Sequence, residues 1–222
     1  MKTLKTKIEH CDITKKICDV FTLDYPDEHV FEPHHIPPEL IPDDFSIGLI
    51  VGSSGSGKSL LLKEFGNPDT KCSWDNRPIA SHFIDYEDCE KRLLGAGLNS
   101  IPIWLCPYNI LSNGQKYRAD VARQLYSGAV FDEFTSVIDR DTAKSLSNSI
   151  KKYIKANELK GLVFAAPHHD IIDYLEPDWC YDTDTKILTI NSDTHTPNIH
   201  YLDKKYLKIN TKKKIHFMEF EI

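Results

Sequence analysis
The 222-residue sequence has no apolar run long enough to cross a bilayer, no C-x-x-C pair among its six cysteines, no internal repeat, no low-complexity tract, and only two glutamines, Gln115 and Gln124. The first absence removes a membrane-spanning helix from the expected architecture, so any membrane role would need another chain to supply the membrane segment. The N-terminus, Met1-Lys2-Thr3-Leu4-Lys5, also lacks the apolar centre of a secretory signal. Without paired cysteine spacing, neither a zinc site nor a dithiol redox centre is expected, and unpaired thiols fit a reduced, cytoplasmic setting.

Acidic charge is scarce at both ends, although the formal net charge is −6. The first sixteen residues carry five lysines against Glu9 and Asp12, and residues 203–222 carry six against Asp203, Glu219 and Glu221. Each end is therefore about +3 and the middle about −12. Basic ends suit contact with nucleic acid or an acidic partner, and solvated surface lysine accounts for them as well. With 41% hydrophobic residues, the chain can bury one substantial core, which predicts one α/β domain with short extensions.

Gly52-Ser53-Ser54-Gly55-Ser56-Gly57-Lys58-Ser59 follows the apolar run Ile47-Gly48-Leu49-Ile50-Val51 and leads into Leu60-Leu61-Leu62. A buried strand, a glycine-rich turn and a helix start in that order present backbone N–H groups to a phosphate chain. Lys58 is then placed to reach the β- and γ-phosphates, and the Ser59 hydroxyl to ligate magnesium. Gly52 to Leu60 are the expected nucleotide-binding residues. A glycine-serine surface loop is the alternative, and the strand-to-helix context argues against it.

Around this motif, residues 1–45 predict a lead-in with an edge strand near residues 17–23, followed by extended chain where five prolines discourage helix. Tyr25 and Phe31 are candidates to stack on an adenine ring or to pack in the core. Gly66 is expected to end the helix after the phosphate loop. Residues 67–110 are irregular, with a strand expected over 78–84 and a short helix over 88–95. Tyr117, Val121, Ala122 and Leu125 predict a helix over 115–127, and Ala143, Leu146, Ile150 and Ile154 predict another over 141–157. Leu111-Ser112-Asn113-Gly114-Gln115 lies at the start of the first, where a serine hydroxyl and free N–H groups form a second anion-binding point. Gly128-Ala129-Val130-Phe131 ends in Asp132-Glu133, an apolar strand delivering two carboxylates to its carboxyl end. A further buried strand, 161–166, ends at Pro167-His168-His169-Asp170, and short strands are expected over 186–190, 199–202 and 215–220. Alternating strands and helices predict a largely parallel sheet with helices on its faces.

The ordered set of phosphate loop, Leu111-Ser112-Asn113-Gly114-Gln115, Asp132-Glu133, Ser136-Val137-Ile138-Asp139 and His168 resembles the nucleotide-binding domain of the ABC-type ATPases, over about residues 46–182. The resemblance implies a P-loop NTPase fold of that type with a reduced helical subdomain and a small C-terminal β appendage. Residues 1–45 would be the lead-in and 183–222 a β-rich extension of the same domain. It also implies ATP and Mg²⁺ as ligands, with Lys58 and Ser59 in Walker A, residues 111–115 as a signature acting in trans, and Asp139 in the D-loop. Asp132 and Ser59 would serve the metal, and Glu133 and His168, with Lys58, the hydrolysis. A signature that closes over another subunit's ATP implies a head-to-tail homodimer with ATP between the subunits.

Gly97-Leu98-Asn99-Ser100-Ile101-Pro102, Trp104, Pro107-Tyr108, Asp132-Glu133-Phe134-Thr135 and Pro177-Asp178-Trp179 look like the soluble branch found joined to acetyltransferase-like (GNAT) domains. That likeness implies a separate acyltransferase-like partner. Two departures bear on it. Neither glutamine lies between Walker A and the signature, where ABC domains carry a metal-sensing one, leaving His82 or Asp85 as stand-ins. The segment from Lys58 to Leu111 is also short for a transporter domain. The expected function is a soluble Mg-ATPase that drives or gates a partner. The alternatives are a nucleotide-sensing module with little or no turnover and a transporter ATPase subunit.

Overall fold
A computed structural model of the chain describes residues 3–24, 26–70, 72–191 and 198–202. The candidate strand 215–220 and the lysines at 212–214 lie outside these residues, as does Tyr25. The chain forms two compact units, Met1–His35 and Ile36–Ile222.

In the first unit, β1 (Leu4–Lys7) pairs antiparallel with β2 (Glu28–Phe31), and α1 (Asp12–Phe21) lies between them in sequence. The strand expected near residues 17–23 is thus largely helix. Ile13, Ile17, Val20 and Phe21 recur at helical spacing, and the Thr14 hydroxyl accepts the Cys11 N–H ahead of the first turn. Those signals override the β-branched composition. No described residue of this unit is buried.

The second unit is α/β, and its centre is β3 (Ile47–Val51), buried at all five positions. Its sheet contains β4 (Val130–Phe131), β5 (Leu162–Ala166), β6 (Trp179–Asp182), β7 (Ile187–Ile190) and β8 (Asn198–Tyr201), in the order β4-β5-β3-β6-β7-β8. The four strands from β4 to β6 run parallel, and β7 and β8 add an antiparallel edge. Side chains alternate between two cores, as a two-residue period requires. Ile47, Leu49, Val51, Leu162 and Phe164 belong to one core, shared with α3 (Tyr86–Gly95), α5 (Asn113–Gln124) and α6 (Arg140–Ala156). Ile50, Val163, Ala165 and Trp179 belong to the other, with Leu61 and Leu62 of α2 (Lys58–Leu62). Covering on both faces explains why β3 and β5 read as continuous apolar runs.

Two further contacts fix β3. The Asp178 carboxylate accepts the N–H groups of Ser46 and Ile47 at 2.7 and 2.8 Å, holding the strand's beginning. Gly48 stands opposite Trp179, and a Cβ there would lie 2.2 Å from the indole. That ring is fully buried and stacks on Phe65.

The strand expected over 78–84 is a 3₁₀ turn, Ile79–His82, with a single bridge from Pro78 to Pro107. Two prolines facing one another cannot extend a ladder, because neither has an N–H to donate. Helix α2 ends at Leu62, before Gly66, and α3 starts at Tyr86 because the Asp85 carboxylate caps it through the Asp88 N–H. Two short helices complete the unit, α4 (Ile101–Trp104) and α7 (Ile172–Leu175). Among the described residues no helix is long and apolar enough to cross a membrane.

Candidate functional site
Because β4, β5, β3 and β6 are parallel neighbours, the loops leaving their carboxyl ends emerge on one edge of the sheet. The register sets Val51 beside both Ala166 and Asp182, and Phe131 beside Phe164. This row brings together the phosphate loop, Asp132-Glu133, His168 and the Thr183-Asp184 turn. A crevice outside the carboxyl ends of parallel strands is where open α/β sheets bind ligands.

Within the phosphate loop, Gly52, Gly55 and Gly57 all have positive φ, at 142°, 78° and 98°. Lys58 is 4% exposed, and its ammonium donates to the carbonyls of Gly52 at 2.9 Å and Ser53 at 2.7 Å. Among the described residues, the N–H groups of Gly55, Gly57, Lys58 and Ser59 have no protein acceptor. Unpaired donors gathered around a buried cation form an anion site. Ser53, Ser54, Gly55, Ser59 and Leu60 are exposed, so the site is open.

The carboxylates of the β4 loop are held by an unusual backbone. Glu133 and Thr135 both adopt left-handed φ, 49° and 65°, which costs about 1 kcal/mol or more for a non-glycine residue. Neighbouring contacts over-determine this shape. The Glu133 N–H donates to Asp132 Oδ1 at 2.9 Å, and the Phe134 N–H to the Ala165 carbonyl at 2.7 Å. Phe134 is fully buried against Phe164, and the Thr135 N–H donates to the Tyr117 hydroxyl at 2.8 Å. Burial pushes the Tyr117 phenol well above its usual range, so it stays neutral. The result leaves the Glu133 side chain exposed at the sheet edge.

The metal-ligand fit rests on the same donors. Ser59 offers a hydroxyl with no protein hydrogen bond among the described residues, and Asp132 a half-buried carboxylate. Among those residues no cluster of three or more His, Cys, Asp or Glu could hold a metal by itself. One hydroxyl and one carboxylate suit magnesium, a hard cation that takes its remaining ligands from phosphates and water.

His168 opens the segment after β5 and is exposed. Its neighbour His169 reaches Asp182 Oδ2 at 3.3 Å. Asp170 pairs with Arg140, which donates from Nε at 3.1 Å and from Nη2. That pair links the loop carrying Asp139 to the histidine segment. Asp139 itself caps α6, accepting the N–H and hydroxyl of Thr142 at 2.9 and 2.6 Å. These bonds hold its carboxyl below the usual carboxylate range.

Leu111 to Gln115 lies at the start of α5, with Leu111 buried. Ser112 and Gln115 form a reciprocal cap: the Ser112 Oγ accepts the Gln115 N–H at 3.3 Å and Gln115 Oε1 accepts the Ser112 N–H at 2.9 Å. A Cβ on Gly114 would meet Ile138 at 3.4 Å, so this segment packs beside the Asp139 loop. Asp85 serves as a helix cap, and His82 packs edge-on against Trp74 with its Nε2 3.1 Å from Asp75. Phe31 is part of β2, in the other unit.

Sequence reasoning passed over Thr183 and Asp184. Asp184 Oδ2 accepts the Ser53 N–H at 2.7 Å and Oδ1 the Ser53 hydroxyl at 2.8 Å, while Thr183 Oγ1 lies 2.6 Å from Ser56 Oγ. In the sequence, Asp182-Thr183-Asp184-Thr185 signals only a turn.

No protein-family model matches the chain, and no curated protein matches it. Solved structures similar to it include the dimeric structure of MJ0796, a bacterial ABC transporter cassette, at 16% identity over 61% of this chain and 80% of that one, with a TM-score of 0.43. A bacterial Atm1-family ABC exporter with ATP bound is similar at 19% identity over 61% and 32% of the two chains, with a TM-score of 0.42. The third is cbiO1 from Clostridium perfringens, part of the ABC transporter complex cbiONQ, at 17% identity over 61% and 72%, with a TM-score of 0.40.

Proposed function
We propose that the chain is an ABC-type ATPase that binds Mg-ATP, dimerises head to tail around it, and hydrolyses it to drive or gate a partner. The observation that carries this reading is the row of loops at the carboxyl ends of β4, β5, β3 and β6, which sets Asp132-Glu133 and His168 along the same edge as a buried lysine ringed by unpaired N–H groups.

In this reading the N–H groups of Gly55, Gly57, Lys58 and Ser59 and the Lys58 ammonium take the β- and γ-phosphates, exchanging the Lys58 bonds to Gly52 and Ser53 for bonds to phosphate oxygens. Ser59 and Asp132 hold magnesium, which withdraws charge from the phosphate oxygens when bound. Glu133 orients a water in line with the γ-phosphorus and takes its proton as the new P–O bond forms. The bond to the β–γ bridging oxygen breaks, and that oxygen leaves as part of ADP. His168 donates to the γ-phosphate and helps to fix it for attack.

Each chain carries one phosphate loop and one Leu111–Gln115 segment, so a second copy supplies the segment that closes over the nucleotide. The free N–H groups of the α5 start and the Ser112 hydroxyl are the contacts it would offer. The motif wording supports an acyltransferase-like protein as a separate partner, in a cytoplasmic setting.

A second reading, a nucleotide sensor with little turnover, is favoured by one observation. Both glutamines sit on α5 and are used there, Gln115 in the cap and Gln124 Nε2 in a bond to the Asp120 carbonyl at 3.2 Å. Phosphate release separates the two readings. The wild type should release phosphate from Mg-ATP, and Glu133→Gln should lower the rate at least a hundredfold while nucleotide binding persists. Equally negligible release by both proteins would favour the sensor. Lys58→Ala should bind no triphosphate under either reading.

A further inference from the structure
The turn between β6 and β7 meets the end of β3 at Val51 and the phosphate loop at Gly52, Ser53 and Ser56. Thr183 is 3% exposed, and its N–H continues the β3–β6 ladder by donating to the Val51 carbonyl at 2.9 Å. Its hydroxyl donates to that same carbonyl at 3.0 Å. Thr183 Oγ1 also lies 2.6 Å from Ser56 Oγ, a hydroxyl-to-hydroxyl hydrogen bond. A chain of hydrogen-bond contacts therefore runs from Ser56 through Thr183 to the end of β3. At Gly52 a Cβ would lie 2.0 Å from Thr183 Oγ1, so loop and turn interlock where β3 becomes the loop. Asp184 then accepts both the N–H and the hydroxyl of Ser53.

The turn is itself held in shape. Asp182 Oδ1 accepts the N–H groups of Asp184 at 2.8 Å and Thr185 at 3.2 Å, and its other oxygen faces His169. These bonds to Asp184 and Thr185, with the one from His169, outweigh burial and keep the Asp182 carboxyl below the usual range, so the scaffold is charged near neutral pH. A loop with three positive-φ glycines is otherwise conformationally free, and ordering it on binding would subtract from affinity.

We infer that Thr183 and Asp184 are positioning residues that pre-order the Gly52–Ser56 half of the phosphate loop, so that a nucleoside triphosphate meets an assembled cradle. The inference rests on the phosphate-loop reading above. Asp184 acts as an acceptor, and its negative charge, near an anion site, is not the useful part. The two properties can therefore be separated by substitution.

The test is titration of the full chain with a fluorescent ATP analogue and Mg²⁺, with thermal unfolding measured in parallel without nucleotide. Asp184→Ala, at an exposed position, should fold and bind about tenfold more weakly. Asp184→Asn, which keeps an acceptor for the Ser53 N–H, should recover most of that loss. Thr183→Val should weaken binding by a similar factor and Thr183→Ser should restore it, an order that unfolding temperatures alone would not produce. Unchanged affinity in Asp184→Ala, or tighter binding in both Asp184→Ala and Asp184→Asn, would overturn the inference, the latter by making the charge a brake. A wild-type chain that takes up no analogue would instead overturn the phosphate-loop reading.

Discussion

Arg140 and Asp170 join two loops of the site through one ion pair, and their effect is readable as a pH dependence. The Arg140 guanidinium, by hydrogen bond and charge, holds the Asp170 carboxyl below its usual range. A carboxylate with a depressed folded-state pKa adds stability above its unfolded value near 4, and that stability disappears as pH falls through the folded value. The wild type should therefore exceed Asp170→Asn in stability by a constant amount between about pH 5 and 7. For a pair this exposed the difference is below about 1 kcal/mol. It should shrink below about pH 4 in denaturant titrations, and a difference that persists unchanged at pH 2–3 would contradict the assignment. Residues of this kind were only partly legible in the sequence. Lys58, Asp132 and Glu133 announce themselves through adjacent residues, whereas Asp184 gains its role from Ser53, 131 positions away, and Arg140 from Asp170, 30 positions away. Local pattern carries no information about such contacts.

Among the elements, β3 carries the site, and its packing predicts a sharp sensitivity at Gly48. A methyl there would enter the Trp179 indole, which Phe45 and Phe65 hold from other sides. Gly48→Ala should destabilise by about 1–3 kcal/mol through overpacking, lowering the melting temperature by about 2–4 °C per kcal/mol in a chain of this size. A melting temperature within 1 °C of wild type would show that the ring can move aside. Helices α5 and α6 were legible within a few residues because three or four apolar side chains repeat at helical spacing on each. Helix α1 was not, because its apolar residues are β-branched or aromatic and none is buried. The stretch around Pro78 was misread for the opposite reason: apolar residues suggested a strand where no partner could donate across from Pro107.

At the scale of the whole molecule, the alternation of strands and helices made the α/β class and the parallel centre of the sheet legible, since only helices on both faces can cover a sheet with Ile47–Val51 and Leu162–Ala166 buried throughout. The order β4-β5-β3-β6 could not be read from the chain, yet it is what puts Glu133, His168 and Lys58 on one edge. The proposed cycle adds a second copy to that edge. Its most direct test is the mass of the Glu133→Gln protein in sedimentation or light scattering, with and without Mg-ATP. The account predicts a monomer of 25.5 kDa without nucleotide, a dimer with Mg-ATP, and no dimer when Lys58→Ala is added. A mass that is the same with and without Mg-ATP, although ATP is bound, would contradict it.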